Sequence, residues 1–369
     1  MTDFNTCTFG FVGLGLIGGS IAKAIRAKYP ECRIIAYNPS SDTLELALEE
    51  GVINEGLHEI GPAFLSCDYV FLCAPVSHNA KNLALIKPCL NPEAVLTDIG
   101  STKTDIHEHI VNAGLTGQFI GGHPMAGSER TRYRNSKASL LENAYYIIAP
   151  EKETDPAKLE SFRALIASIG ALPIIVSCDT HDYAVAAISH LPHVISAALV
   201  NLVRDSDNPD GLMKMIAAGG FKDITRISSS SPVMWQQICL TNKDNILSLL
   251  DDYMDALSDM RAKIAQSESN AIYDFFNDAR QYRDSFITSP ATPSGPIPKE
   301  YIMHVNIADR PGVIAEVVII LALHQINIKN VGITHNREYQ EGVLRIELNS
   351  SPDIAAAKET LESRGYEVF

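Results

Sequence analysis

No Cys-x-x-Cys pair occurs in the 369 residues, and the seven cysteines (7, 32, 67, 73, 89, 178 and 239) are odd in number and irregularly spaced. A zinc site of that kind and a disulfide framework are both excluded. Cysteines lying mostly inside apolar runs read as small core residues in a reducing compartment. No stripe of lysine and arginine stands out, and 30 basic against 44 acidic side chains leave a formal charge of −14. That balance argues against nucleic acid or an anionic membrane as partner. Uninterrupted apolar runs are short; the longest, 317–323, is far below the roughly 20 residues that span a bilayer. The first strand-like run follows the amino end almost directly, so no signal peptide is expected. A cytoplasmic soluble protein is the expectation. Tryptophan occurs once, at Trp235.

What is present begins with a strand-like run, Phe9-Gly10-Phe11-Val12, that leads into Gly13-Leu14-Gly15-Leu16-Ile17-Gly18. Apolar residues at Ile17, Ile21, Ala24 and Ile25 follow at helical spacing. A Gly-x-Gly-x-x-Gly between a strand and a helix is the pattern of a dinucleotide site. Gly13 permits the tight turn, Gly15 lets backbone approach a pyrophosphate, and Gly18 lets the helix pack on the strand. Leu16 and Ile17 open the helix, whose free N–H groups favour phosphate. Asn38 lies 20 residues past Gly18, at the end of a second strand over 33–37. An acid usually holds the ribose 2′-hydroxyl there. Asparagine can bond the hydroxyl too, and no arginine stands nearby for a 2′-phosphate, so NAD is favoured over NADP without excluding it. A third strand over 68–74 ends at Pro75, and Ala74 and Pro75 are counted with the cofactor site.

Further strands are expected at 94–98, 118–121, 145–149 and 172–176, with helices over 43–50 and 155–169. Alternation of this kind gives an α/β Rossmann-type, mostly parallel sheet, with ligands at the carboxyl ends of its strands. From 179 strand signals vanish, and helical spacing runs over 182–204, 211–219, 231–241 and 244–282. An all-helical domain of about a hundred residues needs more apolar partners than it holds, and dimerisation supplies them. Four prolines between 288 and 298 mark a semi-rigid linker. The tail reads strand 301–307, helix 313–324, strands 328–334 and 342–348, helix 354–364 and a strand end, which is the ferredoxin-like plan. The expected division is 1–178, 179–287, a linker at 288–298, and 299–369.

Two residues fall near strand ends on the cofactor side, Ser101 and His123. His123 stands in a loop bounded by Gly122 and Pro124, and histidine titrates near neutrality, as a base for alcohol oxidation should. Ser101 could orient it, touch the nicotinamide, or cap the helix that follows. His190 and His193 share a helical face. A zinc pair with His181 is conceivable, but no carboxylate completes a convincing set, and no metal is expected. The remaining readings for the two are core packing and substrate binding. Lys222 and Arg226, after Gly219-Gly220, read either as a cationic pair able to grip a carboxylate or as part of a solvated helix face with Asp223 as partner. Trp235 reads as core.

Five segments together resemble the prephenate dehydrogenases that carry a C-terminal ACT domain. They are the Gly13–Gly18 fingerprint, Asp98-Ile99-Gly100-Ser101-Thr102-Lys103, Gly122-His123-Pro124-Met125-Ala126-Gly127, Ser189-His190-Leu191-Pro192-His193, and Phe221-Lys222-Asp223-Ile224-Thr225-Arg226 with Trp235 beyond. The resemblance implies NAD-dependent oxidative decarboxylation of prephenate to 4-hydroxyphenylpyruvate, on the route to tyrosine. His123 would take the ring hydroxyl proton. Ser101 would position His123 and cofactor, Arg226 would hold the ring carboxylate with Lys222 in support, and His190, His193, Glu129 and Trp235 would line the pocket. The helical domain would form a homodimer. In the tail, Asp309, Gly312 and Asn327 match an amino-acid effector site, with tyrosine the expected ligand. Arogenate dehydrogenase is the alternative within the enzymes. A β-hydroxyacid dehydrogenase would leave the tail unexplained, and a non-catalytic amino-acid sensor would have no use for His123, Ser101 and Arg226.

Overall fold

The computed structural model describes residues 3–75, 78–127, 131–288, 301–308, 310–334 and 342–369. The chain divides into two compact units, 1–262 and 263–369.

The first unit is built on an eight-stranded sheet: β1 (Thr8–Val12), β2 (Arg33–Tyr37), β3 (Glu55–Leu57), β4 (Tyr69–Leu72), β5 (Val95–Asp98), β6 (Phe119–Pro124), β7 (Tyr145–Pro150) and β8 (Leu172–Ile175). Its spatial order is β3-β2-β1-β4-β5-β6-β7-β8. The first six are parallel, β7 runs antiparallel to β6, and β8 parallel to β7. Helices α1 (Leu16–Lys28), α2 (Ser41–Glu49), α3 (Asn79–Ile86), α4 (Thr104–Ala113) and α5 (Pro156–Ser168) cover it. Both faces are apolar, as a parallel sheet requires. Phe9, Phe11, Phe71 and Tyr146 belong to one core, and Val12, Val70, Leu72 and Leu96 to the other. The Phe11 and Phe71 rings stack at 4.9 Å across neighbouring strands.

Beyond the sheet, α6 (Cys178–Val185) runs through a π-helical turn (Ala186–His190) into α7 (Leu191–Ser206). The Leu191 N–H donates to the Ala186 carbonyl, and Pro192, which has no N–H to give, follows at once. A proline inside a helix disturbs the ladder, and a π turn is one way to absorb it. By length and composition this continuous helix, 178–206, could cross a membrane, a feature that uninterrupted apolar runs do not reveal. Here His181, Asp182 and His190 on it are buried. Then come α8 (Leu212–Ile216), α9 (Gly219–Thr225), α10 (Pro232–Thr241) and α11 (Lys243–Ala265). Ile188, Leu202, Met215, Ile216, Val233 and Leu240 are exposed along this helical part.

The second unit holds α12 (Ser269–Thr288), then β9 (Tyr301–Ile307), α13 (Val313–Leu323), β10 (Ile328–Thr334), β11 (Gly342–Leu348) and α14 (Ser351–Glu362). The order β10-β11-β9 is antiparallel throughout, and a bridge from Val305 to Val368 extends the sheet beyond β9. Val305, Val317, Leu321, Ile346 and Leu361 form its core. The single helical run expected over 244–282 is two helices, broken where Ser267 takes φ 55°.

Candidate active site

The fingerprint glycines divide their work as their spacing implies. Gly13 has φ +104°, and a Cβ on it would lie 3.1 Å from the Ala74 nitrogen, which brings Ala74 to the turn. A Cβ on Gly18 would lie 2.8 Å from both the Gly13 carbonyl oxygen and Cys73 Cβ, so only glycine lets α1 approach β4 this closely. A Cβ on Gly15 would meet nothing within 4 Å, and Gly15 stands at the N-terminus of α1 with no side chain capping it. Open space in front of uncapped helix amides is the cradle a pyrophosphate needs, so these residues fit a dinucleotide. Asn38 also fastens the turn, accepting from the Leu14 N–H at 3.0 Å and donating to the Ser40 carbonyl at 3.3 Å.

Asp98 ends β5 buried, and its carboxylate ties two strand ends together. One oxygen accepts from the Gly122 N–H at 3.1 Å, and the other accepts from the Gly100 N–H at 2.8 Å and pairs with the buried Lys103 ammonium. Ser101 and His123 are each the next residue along, so this one carboxylate holds both backbones. The paired glycines at 121 and 122 are required by crowding: a Cβ would lie 2.7 Å from His107 Nε2 at Gly121 and 2.5 Å from the Asp98 carbonyl oxygen at Gly122.

His123 is the penultimate residue of β6, not a loop residue as expected, because β6 continues through Gly122 and Pro124 in register with β7. Its Nδ1 lies 2.8 Å from His181 Nε2, and His181 Nδ1 lies 2.8 Å from Asp182 Oδ1. Asp182 is fully buried. It also accepts from the N–H groups of Lys103 and Thr104 and from the Thr104 hydroxyl, and so caps α4 from another helix. Burial would raise the Asp182 pKa, but these bonds and the one from His181 outweigh it and hold the carboxyl down at about 2. The His123 pKa is pushed well below the usual imidazole value, first by desolvation and then by His181, Lys103 and His190, with Asp182 opposing. The expectation of titration near neutrality is thereby corrected: burial among these groups holds the His123 imidazole neutral at physiological pH.

Ser101 does not cap α4. The capping position is Lys103, and Asp182 supplies the acceptor. Among the described residues no hydrogen bond joins the Ser101 hydroxyl to His123. His190, Trp235 and His193 do come together. The His193 ring stacks on Trp235 at 3.7 Å, and His190 meets its edge at 6.0 Å. Trp235 Nε1 is buried and finds no acceptor among the described residues. Asn242 donates to the Asp182 carbonyl at 2.7 Å and stands 3.1 Å from His190 Nδ1. Burial pushes the His190 pKa down to about 4, so it is neutral, with Nδ1 as acceptor and its proton on Nε2. His193 Nδ1 donates to the Ser189 carbonyl, and burial lowers its pKa, with the Arg226 charge acting in the same direction. Arg226 therefore lies within electrostatic reach of the cluster. Lys222 is exposed on α9, and Glu129 lies outside the described residues. His181 has a carboxylate beside it, contrary to the sequence reading, yet no group of three metal-ligating side chains is gathered among the described residues.

Residues 21–175 match the family model described as prephenate dehydrogenase, nucleotide-binding domain, and residues 177–278 match prephenate dehydrogenase, dimerization domain. The prephenate dehydrogenase of Bacillus subtilis is 38% identical over 98% of both chains. The chain belongs to the prephenate dehydrogenase family. A solved relative from Aquifex aeolicus, a prephenate dehydrogenase in complex with hydroxyphenyl propionate and NAD+, superposes with a TM-score of 0.72 at 29% identity, covering 76% of this chain and 98% of that one. The arogenate dehydrogenase of Synechocystis superposes with a TM-score of 0.69 at 30% identity, covering 76% and 100%. Membership makes the sheet a Rossmann-type nucleotide-binding domain, makes the helices after 177 a dimerisation domain, and rules the β-hydroxyacid and sensor alternatives out.

Proposed function

We propose that this chain oxidises prephenate to 4-hydroxyphenylpyruvate and carbon dioxide with NAD, in a soluble cytoplasmic homodimer. The observation that carries the reading is His123, a neutral imidazole fixed at a strand end on the same edge of the sheet as an open dinucleotide cradle. Gly13, Gly15, Leu16, Ile17, Gly18, Asn38, Ala74 and Pro75 would hold NAD, which would supply the acceptor for the hydride on the hydroxyl-bearing ring carbon. His123 takes the hydroxyl proton. The ring carboxylate leaves as carbon dioxide, and the electron pair of its bond to the ring completes the aromatic system. Ser101 positions the ring hydroxyl and cofactor, Arg226 holds the ring carboxylate with Lys222 in support, and His190, His193, Trp235 and Glu129 line the pocket. A second copy covers the exposed apolar side chains between Ile188 and Leu240.

A second reading, arogenate, draws on the Synechocystis neighbour and on His193. With its Nδ1 proton given to Ser189, a neutral His193 offers an acceptor at Nε2, which suits an ammonium better than a keto group. Supplying prephenate or arogenate with NAD or NADP and following reduced cofactor decides among the four pairs. A higher kcat/KM for arogenate overturns the substrate assignment.

The functional division is 1–178, 179–287, 288–298 and 299–369, and the last part is an ACT domain that binds tyrosine. Gly312 supports this: it has φ +88°, opens α13, and has nothing within 4 Å of where its Cβ would be. Asn327 is exposed just before β10. Asp309, the expected partner of the effector ammonium, lies outside the described residues. An active enzyme lacking 297–369 that tyrosine still inhibits unchanged would overturn this site.

A further inference from the structure

We infer that His181 and Asp182 are positioning residues for His123, holding it in the one tautomer whose bare Nε2 can receive the substrate proton. The inference rests on the reading of His123 as the base and adds what sets that base. Three side chains from two separated segments lie in line, with successive contacts of 2.8 Å. An ionised carboxylate can only accept, so the proton between Asp182 Oδ1 and His181 sits on His181 Nδ1. That leaves His181 Nε2 a lone pair. The proton between the two rings therefore sits on His123 Nδ1, and His123 Nε2 carries none. Nothing in His123 itself chooses this tautomer; the choice is made two residues away, at a carboxylate held ionised by the amides that open α4.

The same line serves the step itself. When Nε2 takes the hydroxyl proton, His123 becomes an imidazolium that still donates through Nδ1 to His181. The groups facing it are His181 and Asp182 from α6, Lys103 from the turn before α4, and His190 from the π turn. The Lys103 ammonium opposes the new charge, and Asp182 is the group that favours it. The carboxylate therefore both orients the base and offsets the charge the base acquires. Asn242 holds the backbone of this pair from α10's end by donating to the Asp182 carbonyl.

The direct test is 15N NMR of the full chain labelled at histidine, near neutral pH and without substrate. His123 should show a protonated Nδ1 and a bare Nε2. Asp182→Asn offers an amide that can donate to His181 Nδ1 and so reverse the line, placing the His123 proton on Nε2. Its kcat should fall about 10²–10⁴-fold, the loss seen when a carboxylate behind a histidine base is made an amide, with KM for both substrates within about threefold. The acid limb of kcat should also move to lower pH, because the charge that favours the imidazolium is gone. His181→Gln can still accept from His123 Nδ1 through its carbonyl and should keep kcat within about tenfold, whereas His181→Leu should fall as far as Asp182→Asn. A proton on Nε2 in the unaltered chain overturns the inference, and this readout stands even if Asp182→Asn does not fold. So does a loss confined to KM, or equal kcat in His181→Gln and His181→Leu. Because the tautomer is read without substrate, turnover of arogenate in place of prephenate would sink the substrate reading and leave this one intact.

Discussion

The dinucleotide turn and the histidine cluster stand at the carboxyl ends of strands in one sheet, and they are built in opposite ways. The turn is backbone. Gly13 bends it, Gly18 lets the helix close on Cys73, Gly15 leaves room, and the Asn38 side chain reaches in to fasten Leu14. The cluster is side chain. Asp98, Lys103, His181, Asp182 and His190 are all buried, and each is hydrogen-bonded or ion-paired. A cofactor with a repeating phosphate chemistry can be met by amides, which carry no titratable group. A proton transfer needs a group whose charge changes, and that group must be oriented and its neighbours balanced. The two halves should therefore respond differently to substitution and to pH.

The sharpest break between them is at His123. His123→Asn should lower kcat by about 10²–10⁴-fold, the usual worth of a general base, while NAD binding stays near the unaltered value. Cofactor fluorescence titration beside steady-state turnover reads the two separately. Equal losses in both would mean that base and cofactor site are not independent.

Acid should also separate the halves, through stability. The folded His190 has its pKa pushed down to about 4 by burial, against roughly 6.5 in the unfolded chain. Between those values the unfolded state binds the extra proton. Stability is thus fully present above about pH 6.5 and is lost as pH falls toward 4, by roughly 3 kcal/mol from this group. The lowered values of His107, His123 and His193 act in the same direction. Asp182, held at about 2, adds its own loss only below the ordinary carboxyl range. Urea titrations at pH 7.5, 6 and 5 give the slope. A flat profile, or the same slope in His190→Gln, would remove His190 from the account.

These two expectations show where the sequence is readable and where it is not. The fingerprint is legible because its parts are adjacent: strand, three glycines and helix follow one another without a break from Thr8 to Lys28. Most of the later strands are legible for the same local reason, including all three of the second unit. The reversal of β7 leaves no local mark, since an apolar run reads alike in either direction. Asp182 carries no local signal, because its partners lie some 80 positions earlier, at Lys103 and Thr104. Asn242 carries none either, because it acts 60 positions from Asp182. From sequence His181 reads only as a neighbour of a metal pair. Two signals are nonetheless local. Pro192 inside a helical run marks a broken ladder, and the π turn before it is what sets His190. An Asp four to five residues before a Lys at a strand end, Asp98 and Lys103, marks a pair that burial would force together.

Arg226 should have an intermediate effect. It is exposed in the single chain, so a bond from it to the ring carboxylate would be worth less than a fully buried one. Arg226→Ala should raise KM for prephenate by about ten- to a hundredfold, the 1.5–3 kcal/mol of a hydrogen bond to a charged group, with kcat nearly held. Loss of kcat with KM unchanged would place Arg226 against the reacting carbon and away from the carboxylate.

The smallest effect should come from Asn38, whose side chain fastens the backbone-built turn. Its carbonyl oxygen accepts from the Leu14 N–H, and an aspartate can do the same, so the turn survives Asn38→Asp. What is lost is a 3.3 Å donation to the Ser40 carbonyl, at the long end of the range and worth less than 1 kcal/mol. What is gained is a negative charge beside the ribose. It can still accept from the 2′-hydroxyl of NAD, but it repels the 2′-phosphate of NADP. The NAD over NADP ratio of kcat/KM should therefore rise several-fold, about 1 kcal/mol at an exposed edge where solvent screens the repulsion, while kcat with NAD and the pH profile set by His123 stay as they were. The change should arise in the KM for NADP. A fall in kcat with NAD would show that the turn and the histidine cluster are coupled after all, and a starting preference for NADP would show that a cation elsewhere meets the phosphate.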